Sequence, residues 1–418
     1  MRALSGQALA AIVLLTAAAM NLLSRGAAES FPVFLVALEQ SFQVDRVALT
    51  GIYSTYMLVY GLAAPGTGYL IDRFGARLGY TSGLVLLTLA FGLSSQATAL
   101  WHLYILLGVL TGMGTAALGM VPSSTIASAW FDKRLPSAMS LLYASLGIGV
   151  LIFSPFSSWL IESLGWREAY FWLGGVPLLA LPLMVMLPWR RIQAGAPEVM
   201  ATRHARQTAS DQRSDRRAEL LEALKTKGFW KLAGVMFFTT ISTFTVQIQL
   251  VAFLVDTGFE PLFAATTFGL VGLLSTVGMI GTGVIAERYG ERNIATFAYL
   301  CSIAGAGCLA LLTIWPNLLP LILFVILFGS VSGSRGPLVA VYSSRLFAGA
   351  AQATIYGFVL LAMGIGGAVA GWVGGVLHDA TGGYVAGFAL SALGALAGML
   401  LFRSIDTGPK VSVSTLAS

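Results

Sequence analysis

Apolar residues in this chain run in long blocks separated by short polar or turn-rich breaks. The blocks cover 8–38, 47–71, 78–98, 101–130, 137–162, 167–189, 230–256, 262–286, 293–315, 318–346, 352–377 and 384–403. Each approaches or exceeds the roughly 20 residues a helix needs to cross a bilayer core. The pattern predicts an all-α membrane protein of twelve transmembrane helices. One long polar stretch, "WRRIQAGAPEVMATRHARQTASDQRSDRRAELLEALKTKG", separates the sixth block from the seventh. The expected domains are therefore a six-helix bundle over 1–189, a linker over 190–229, a second six-helix bundle over 230–404 and a tail over 405–418. The opening "MRALSGQALAAIVLLTAAAM" also has the make-up of a secretory signal, with cleavage as the lesser alternative. Its hydrophobicity continues past the point where such a peptide ends, which favours a first span.

Composition agrees. Hydrophobic residues make up 57% of the 418 and charged ones 10%, against about a quarter charged in a soluble domain. Mean hydropathy is +0.82. Strings such as "GMGTAALG" and "GIGGAVAGWVGG" read as helix-packing surfaces, because no strand precedes them as a phosphate loop requires. No Walker sequence suggests ATP drive. Cys301 and Cys308 lie seven apart on one helix face, as small packing residues. His102, His204 and His378 are scattered, so neither a metal site nor a cofactor is expected.

The net charge of +6 is mostly a topology signal rather than a nucleic-acid surface. With both termini in the cytoplasm, Arg73, Arg77, Lys133, Arg134, Arg288, Arg292 and the linker fall inside, and only Arg46 and Arg167 outside. Between Arg190 and Lys231 the linker holds ten Lys or Arg against five acids. Its second half, "AELLEALKTKGFW", has the spacing of an amphipathic helix at the membrane surface.

The two halves share motifs. "GYLIDRFGAR" begins at Gly68 and "GVIAERYGER" at Gly283, 215 positions apart, both reading G-x-x-x-[DE]-R-x-G-x-R. The same offset lays "LVAL" at Leu35 on "LVAF" at Leu250, and one of 217 lays "LGIG" at Leu146 on "MGIG" at Met363. A same-orientation duplication of six helices explains all three, with a cavity between the halves. In chemical terms, Asp72 and Arg73 near a helix end and the turn-forming Gly75 can make charge-assisted bonds to neighbouring helix ends and latch one conformation.

"GYLIDRFGAR" resembles the signature loop between helices two and three of the major facilitator superfamily, and the second motif, the twelve spans and the linker extend the resemblance over nearly the whole chain. "SAWFDKRLPSAMSLLYASLGIGVLIFSP" followed by "SLGWREAYF" further resembles bacterial monocarboxylate porters and oxalate–formate antiporters. The resemblance implies alternating access between periplasm and cytoplasm by a monomer in a bacterial inner membrane. It also implies a cytoplasmic gate at Gly68, Asp72, Arg73, Gly75 and Arg77, with Glu287 and Arg288 as counterparts. Two departures stand out. Several monocarboxylate porters carry an arginine in the eighth helix near the position of Met279, and the fifth helix reads "FSPFSSW" where drug–proton antiporters have a Gly-Pro-rich motif.

Three ionisable residues sit well inside spans: Arg25 and Glu29 in the first, Arg335 in the tenth. A charge at a helix centre costs about 2.5–3.5 kcal/mol on insertion scales, so such residues face a bundle interior or a watery cavity. The resemblance implies that helices one, four, seven and ten line that cavity. Two arginines against one glutamate predict an anionic substrate, since a guanidinium matches carboxylate geometry bidentately. Arg335, with no acid near it in sequence, is the expected principal clamp, and Arg25 a second; for Arg335 the alternative is a bond to backbone carbonyls or helix ends, where Gly333, Gly336 and Pro337 loosen the helix. Glu29, four residues on and on the same face, is the expected proton carrier; a purely structural pair is the alternative. Tyr53, Tyr56, Tyr60, Gln247, Gln249 and Tyr342 are weaker candidates to complete the site. The expected function is symport of a small organic anion, a monocarboxylate, with a proton. Anion exchange or export of an amphiphile is the runner-up, and a non-transporting sensor the remaining class.

Overall fold

The computed structural model describes residues 6–131, 135–196, 199, 216–347 and 352–405. Among these, no strand occurs and twelve helices are long and apolar enough to cross a membrane. They are Gly6–Phe42, Arg46–Ala64, Ala76–Ser94, Leu100–Ala127, Leu141–Leu164, Trp166–Met186, Lys227–Asp256, Pro261–Thr282, Glu291–Ile314, Leu318–Val339, Phe358–Thr381 and Val385–Arg403, here spans one to twelve. Every expected apolar block has its helix. Lys133, Arg134 and the linker's middle lie outside the described residues. The linker's later part is helical over Arg216–Lys225 and buries Ala223.

The duplication is visible in the turns. Helix two ends and helix three begins at Gly75, φ +84°; helix eight gives way to helix nine at Gly290, φ +83°. Both are motif glycines, and the left-handed conformation explains why glycine stands there. At Gly75 a Cβ would also collide with the Gln193 side chain, so the start of the linker is seated against the first motif loop. The Trp130 indole N–H donates to the Ile192 carbonyl at 2.8 Å and holds that segment to span four.

Three spans break near their middles. The first stops at Glu29 and resumes at Phe31, because Pro32 has no N–H to continue the ladder and its ring disfavours the helical carbonyl at Ala28. The fourth widens into a π-helical stretch at Tyr104–Leu110 and bends at Gly119. The tenth widens at Val325–Gly329 and turns just before Arg335. The seventh runs unbroken over Lys227–Asp256.

The halves meet along two seams. Spans two and eleven approach backbone to backbone: a Cβ on Gly61 would lie 3.4 Å from the Gly364 Cα, and one on Gly371 would lie 3.2 Å from the Thr50 carbonyl. Spans five and eight do the same, with a Gly269 Cβ 2.9 Å from the Leu151 Cα. These contacts run from the middles of the helices, at Gly61, Gly364 and Leu151, toward the ends away from the linker, at Thr50 and Gly371, so the halves are in contact on that far side.

Candidate functional site

Glu29 ends the first piece of span one, so the break leaves its carboxylate at the tip of a helix, 7% exposed. Span two runs alongside and presents Tyr53, Tyr56 and Tyr60, three and four apart and hence on one face. The Arg25 Nη2 lies 2.9 Å from Glu29 Oε1, and its Nη1 donates to the Tyr56 hydroxyl at 3.4 Å. The Tyr53 hydroxyl donates to Glu29 Oε2 at 2.5 Å. The Tyr60 ring lies 5.3 Å from the Arg25 guanidinium carbon, within reach of a cation–π contact. Tyr53 also touches the other half, its ring 6.0 Å from that of Phe244 on span seven.

The Arg25 side chain is 17% exposed and that of Glu29 9%. Arg25 packs level with Tyr60, beside Gly61, where the seam with span eleven is still closed. Of the ion pair, Arg25 keeps the larger exposed edge. An ion pair in a low-dielectric surround is strongly coupled, and neutralising one partner leaves the other free to take a new counter-ion.

Arg335 is placed apart from this cluster. It is 1% exposed, inside the second half, where Nη2 donates to the Ser302 hydroxyl at 2.6 Å and to the Val331 carbonyl at 3.2 Å. The Tyr299 ring lies 4.9 Å from its guanidinium carbon, and the Tyr299 and Thr239 hydroxyls are 2.6 Å apart. Nε and Nη1 are buried without a hydrogen-bond partner, so a charged group retains two unused donors. Among the described residues no hydrogen bond, ion pair or ring contact joins it to Arg25. The two arginines thus lie in opposite halves, each with its own aromatic and hydroxyl company. Met279 reaches toward Gly333, two residues before Arg335.

The weaker candidates divide. Tyr56 joins Arg25, as described. Gln249 is buried and packs on Gly374 of span eleven, while Gln247 is half-buried. The Tyr342 ring lies 4.8 Å from that of Phe402 on span twelve, tilted against it by 50°, in the apolar core of the second half. In the motif loops Gly68 is half-buried near Val121, and Arg73, Arg77 and Arg288 are exposed. The side chains of Asp72 and Glu287 lie outside the described residues. Among the described residues no group of His, Cys, Asp and Glu could hold a metal ion.

Sequence reasoning missed Tyr299, Ser302 and Thr239. Tyrosine or serine in an apolar span carries no signal until the fold shows what it touches.

Comparison with known proteins adds the following. The family model described as Major Facilitator Superfamily matches residues 14–334. Monocarboxylate transporter 13 of Bos taurus is 26% identical over 393 residues, covering 93% of this chain and 87% of the relative. Monocarboxylate transporter 12 of Mus musculus is 27% identical over 411 residues, covering 93% and 82%. Among solved structures, a D-xylose–proton symporter superposes with a TM-score of 0.72 at 15% identity, over 94% of this chain and 97% of that one. A bacterial homologue of the human lysosomal transporter Spinster, inward-facing and unoccupied, gives 0.69 at 14% identity, over 95% of each. At these identities the two structures speak for the fold alone.

Proposed function

Because the chain belongs to the Major Facilitator Superfamily, we propose that this transporter carries a small organic anion, a monocarboxylate, by alternating access together with a proton. The observation that carries the reading is the Arg25–Glu29 pair, held at a helix break by Tyr53 and Tyr56 and open on the Arg25 side. The relatives named as monocarboxylate transporters favour a carboxylate among anions.

The chemistry balances in charge. A proton arriving on the Glu29 carboxylate cancels its negative charge and loosens its hold on Arg25. The substrate carboxylate then takes the guanidinium fork in its place. Glu29 stays neutral while the substrate is bound, so the loaded site holds the same net charge as the empty one. When the substrate leaves, the proton leaves and the internal pair re-forms. Arg335 supplies an anchor in the opposite half, its two unused donors awaiting an acceptor in the loaded state. The linker side is the cytoplasmic side, by the distribution of Lys and Arg. The motif loops, through Asp72 and Arg73 with Glu287 and Arg288, latch that side during the return.

Anion exchange is the second reading. It is favoured by Arg335, a buried cation with no carboxylate partner among the described residues, which a counter-substrate would neutralise during the return step. Proteoliposomes separate the two: acidification-driven accumulation of a labelled carboxylate supports symport, while counterflow without accumulation supports exchange.

A further inference from the structure

The far side carries an ionic cluster that none of the roles above uses. Arg46, the first residue of span two, is 4% exposed although it begins a helix at a membrane face. Its Nη2 lies 2.6 Å from Glu39 of span one and 3.7 Å from Asp256 at the end of span seven. Its Nη1 donates to the Tyr384 hydroxyl, just before span twelve, at 3.0 Å, and that hydroxyl donates to Asp256. Burial raises the Tyr384 phenol above its ordinary range, which keeps the hydroxyl a donor.

The backbone adds a second link between the halves. Asp379, at the end of span eleven, accepts the Arg46 N–H on Oδ1 at 3.2 Å and the Val47 N–H on Oδ2 at 2.8 Å. Those are two of the donors that the start of a helix leaves unsatisfied. A carboxylate from the other half therefore caps span two. The residue in the ordinary capping position is Asp45, with extended backbone at φ −64° and ψ 153°, whose carbonyl accepts the Ala48 N–H at 3.1 Å. Its side chain makes no cap bond and is exposed.

We propose that this cluster is the far-side gate, and that Asp379 and Asp45 exchange as the cap of span two when it opens and closes. The division of partners supports it. If the halves separate here, Arg46 keeps Glu39, Tyr384 keeps Asp256, and Asp379 keeps the His378 ring nitrogen 3.2 Å away. Only the Arg46 contacts to Tyr384 and Asp256 and the borrowed cap are lost. No charge is stranded in either half, and Asp45, one of the preferred capping residue types, takes the freed N–H groups. A gate must be reversible, and one whose parts are each satisfied in both states opens without the penalty of an orphaned buried ion. The proposal concerns the alternation of states and is independent of which solute is carried.

The test uses the full chain in right-side-out membrane vesicles, with Cys301→Ser and Cys308→Ser removing the native thiols. Ser54→Cys serves as the reporter, since Ser54 is buried in the seam against Gly371. The rate of its reaction with a membrane-impermeant maleimide reads far-side opening without any substrate. Asp379→Ala and Tyr384→Phe are expected to speed labelling about five-fold, the usual weight of one cap, and Asp45→Ala to slow it by a similar factor. Opposite signs at two aspartates on one helix start are the signature of exchange. Asp379→Asn, which keeps the shape and one acceptor, should speed labelling by a smaller factor and decides the matter if the alanine variant does not fold. Wild-type or slower labelling in the Asp379 and Tyr384 variants overturns the gate. Unchanged or faster labelling in Asp45→Ala overturns the exchange.

Discussion

Glu29 is the residue at which proton and solute would be coupled. Its two carboxylate oxygens face different partners, Arg25 and Tyr53, so the amide in Glu29→Gln can stay hydrogen-bonded while losing its charge. The expected outcome is a folded protein that exchanges labelled anion for anion at near wild-type rate and loses acidification-driven accumulation. Counterflow and accumulation measured side by side decide this; accumulation at wild-type level would make the pair structural. Arg335 tests the opposite half. Arg335→Ala removes the charge, and anion affinity should fall by about 30-fold or more, corresponding to at least ~2 kcal/mol for a desolvated charge pair. Arg335→Lys keeps the charge without the fork and should recover only part of it. Titration of the purified protein with candidate carboxylates, read by thermal stabilisation, checks both; wild-type affinity in a folded Arg335→Ala protein would remove Arg335 from the site.

Helices carry two kinds of close approach, which substitution should separate. Gly149 lies within the first half, where an added Cβ would meet the Gly26 Cα at 3.2 Å and also the Leu22 carbonyl. Gly269 lies between halves, against Leu151. Overpacking typically costs ~1–3 kcal/mol. Gly149→Ala should therefore lower the midpoint of thermal unfolding, because spans one and five are packed together within one half. Gly269→Ala should leave the midpoint nearly unchanged and shift the protein toward the state in which spans five and eight have parted. Unfolding scans paired with labelling at the seam distinguish the two. The twelve helices were legible from the apolar blocks because length and hydropathy alone set a span. The breaks in spans one and four were not called. Prolines and glycines are tolerated within membrane helices wherever neighbours re-satisfy the freed backbone, so their presence does not by itself announce a break.

At the scale of the whole molecule the halves are held on the far side by glycine seams and the Arg46 cluster, while the duplicated loops lie at the other end. The loops are proposed to be the latch that acts when the linker side closes. Asp72→Asn should then shift the balance toward the far-side-closed state described here, lowering transport rate more than substrate affinity. Accessibility of a linker-side cysteine, measured beside affinity, checks this. Lost affinity with unchanged accessibility would make the loop part of the site instead.

Local chemistry sufficed for part of this picture. Hydropathy dictated twelve spans. The repeated G-x-x-x-[DE]-R-x-G-x-R marked the duplication, and its two glycines at φ +84° and +83° show why the motif needs them. The four-residue spacing of Arg25 and Glu29 was enough to expect their pairing, because a helix puts such positions on one face. Spacing could not tell which way Arg335 points. Its neighbours Tyr299 and Ser302 come from span nine, and only the packing of spans nine and ten puts the guanidinium among them rather than beside Arg25. Arg46 shows the same limit. In sequence it was merely an arginine on the minority side of the topology, and its partners Glu39, Asp256, Asp379 and Tyr384 come from both halves. A contact between residues more than 300 positions apart leaves no trace in local periodicity, so tertiary structure alone decided it.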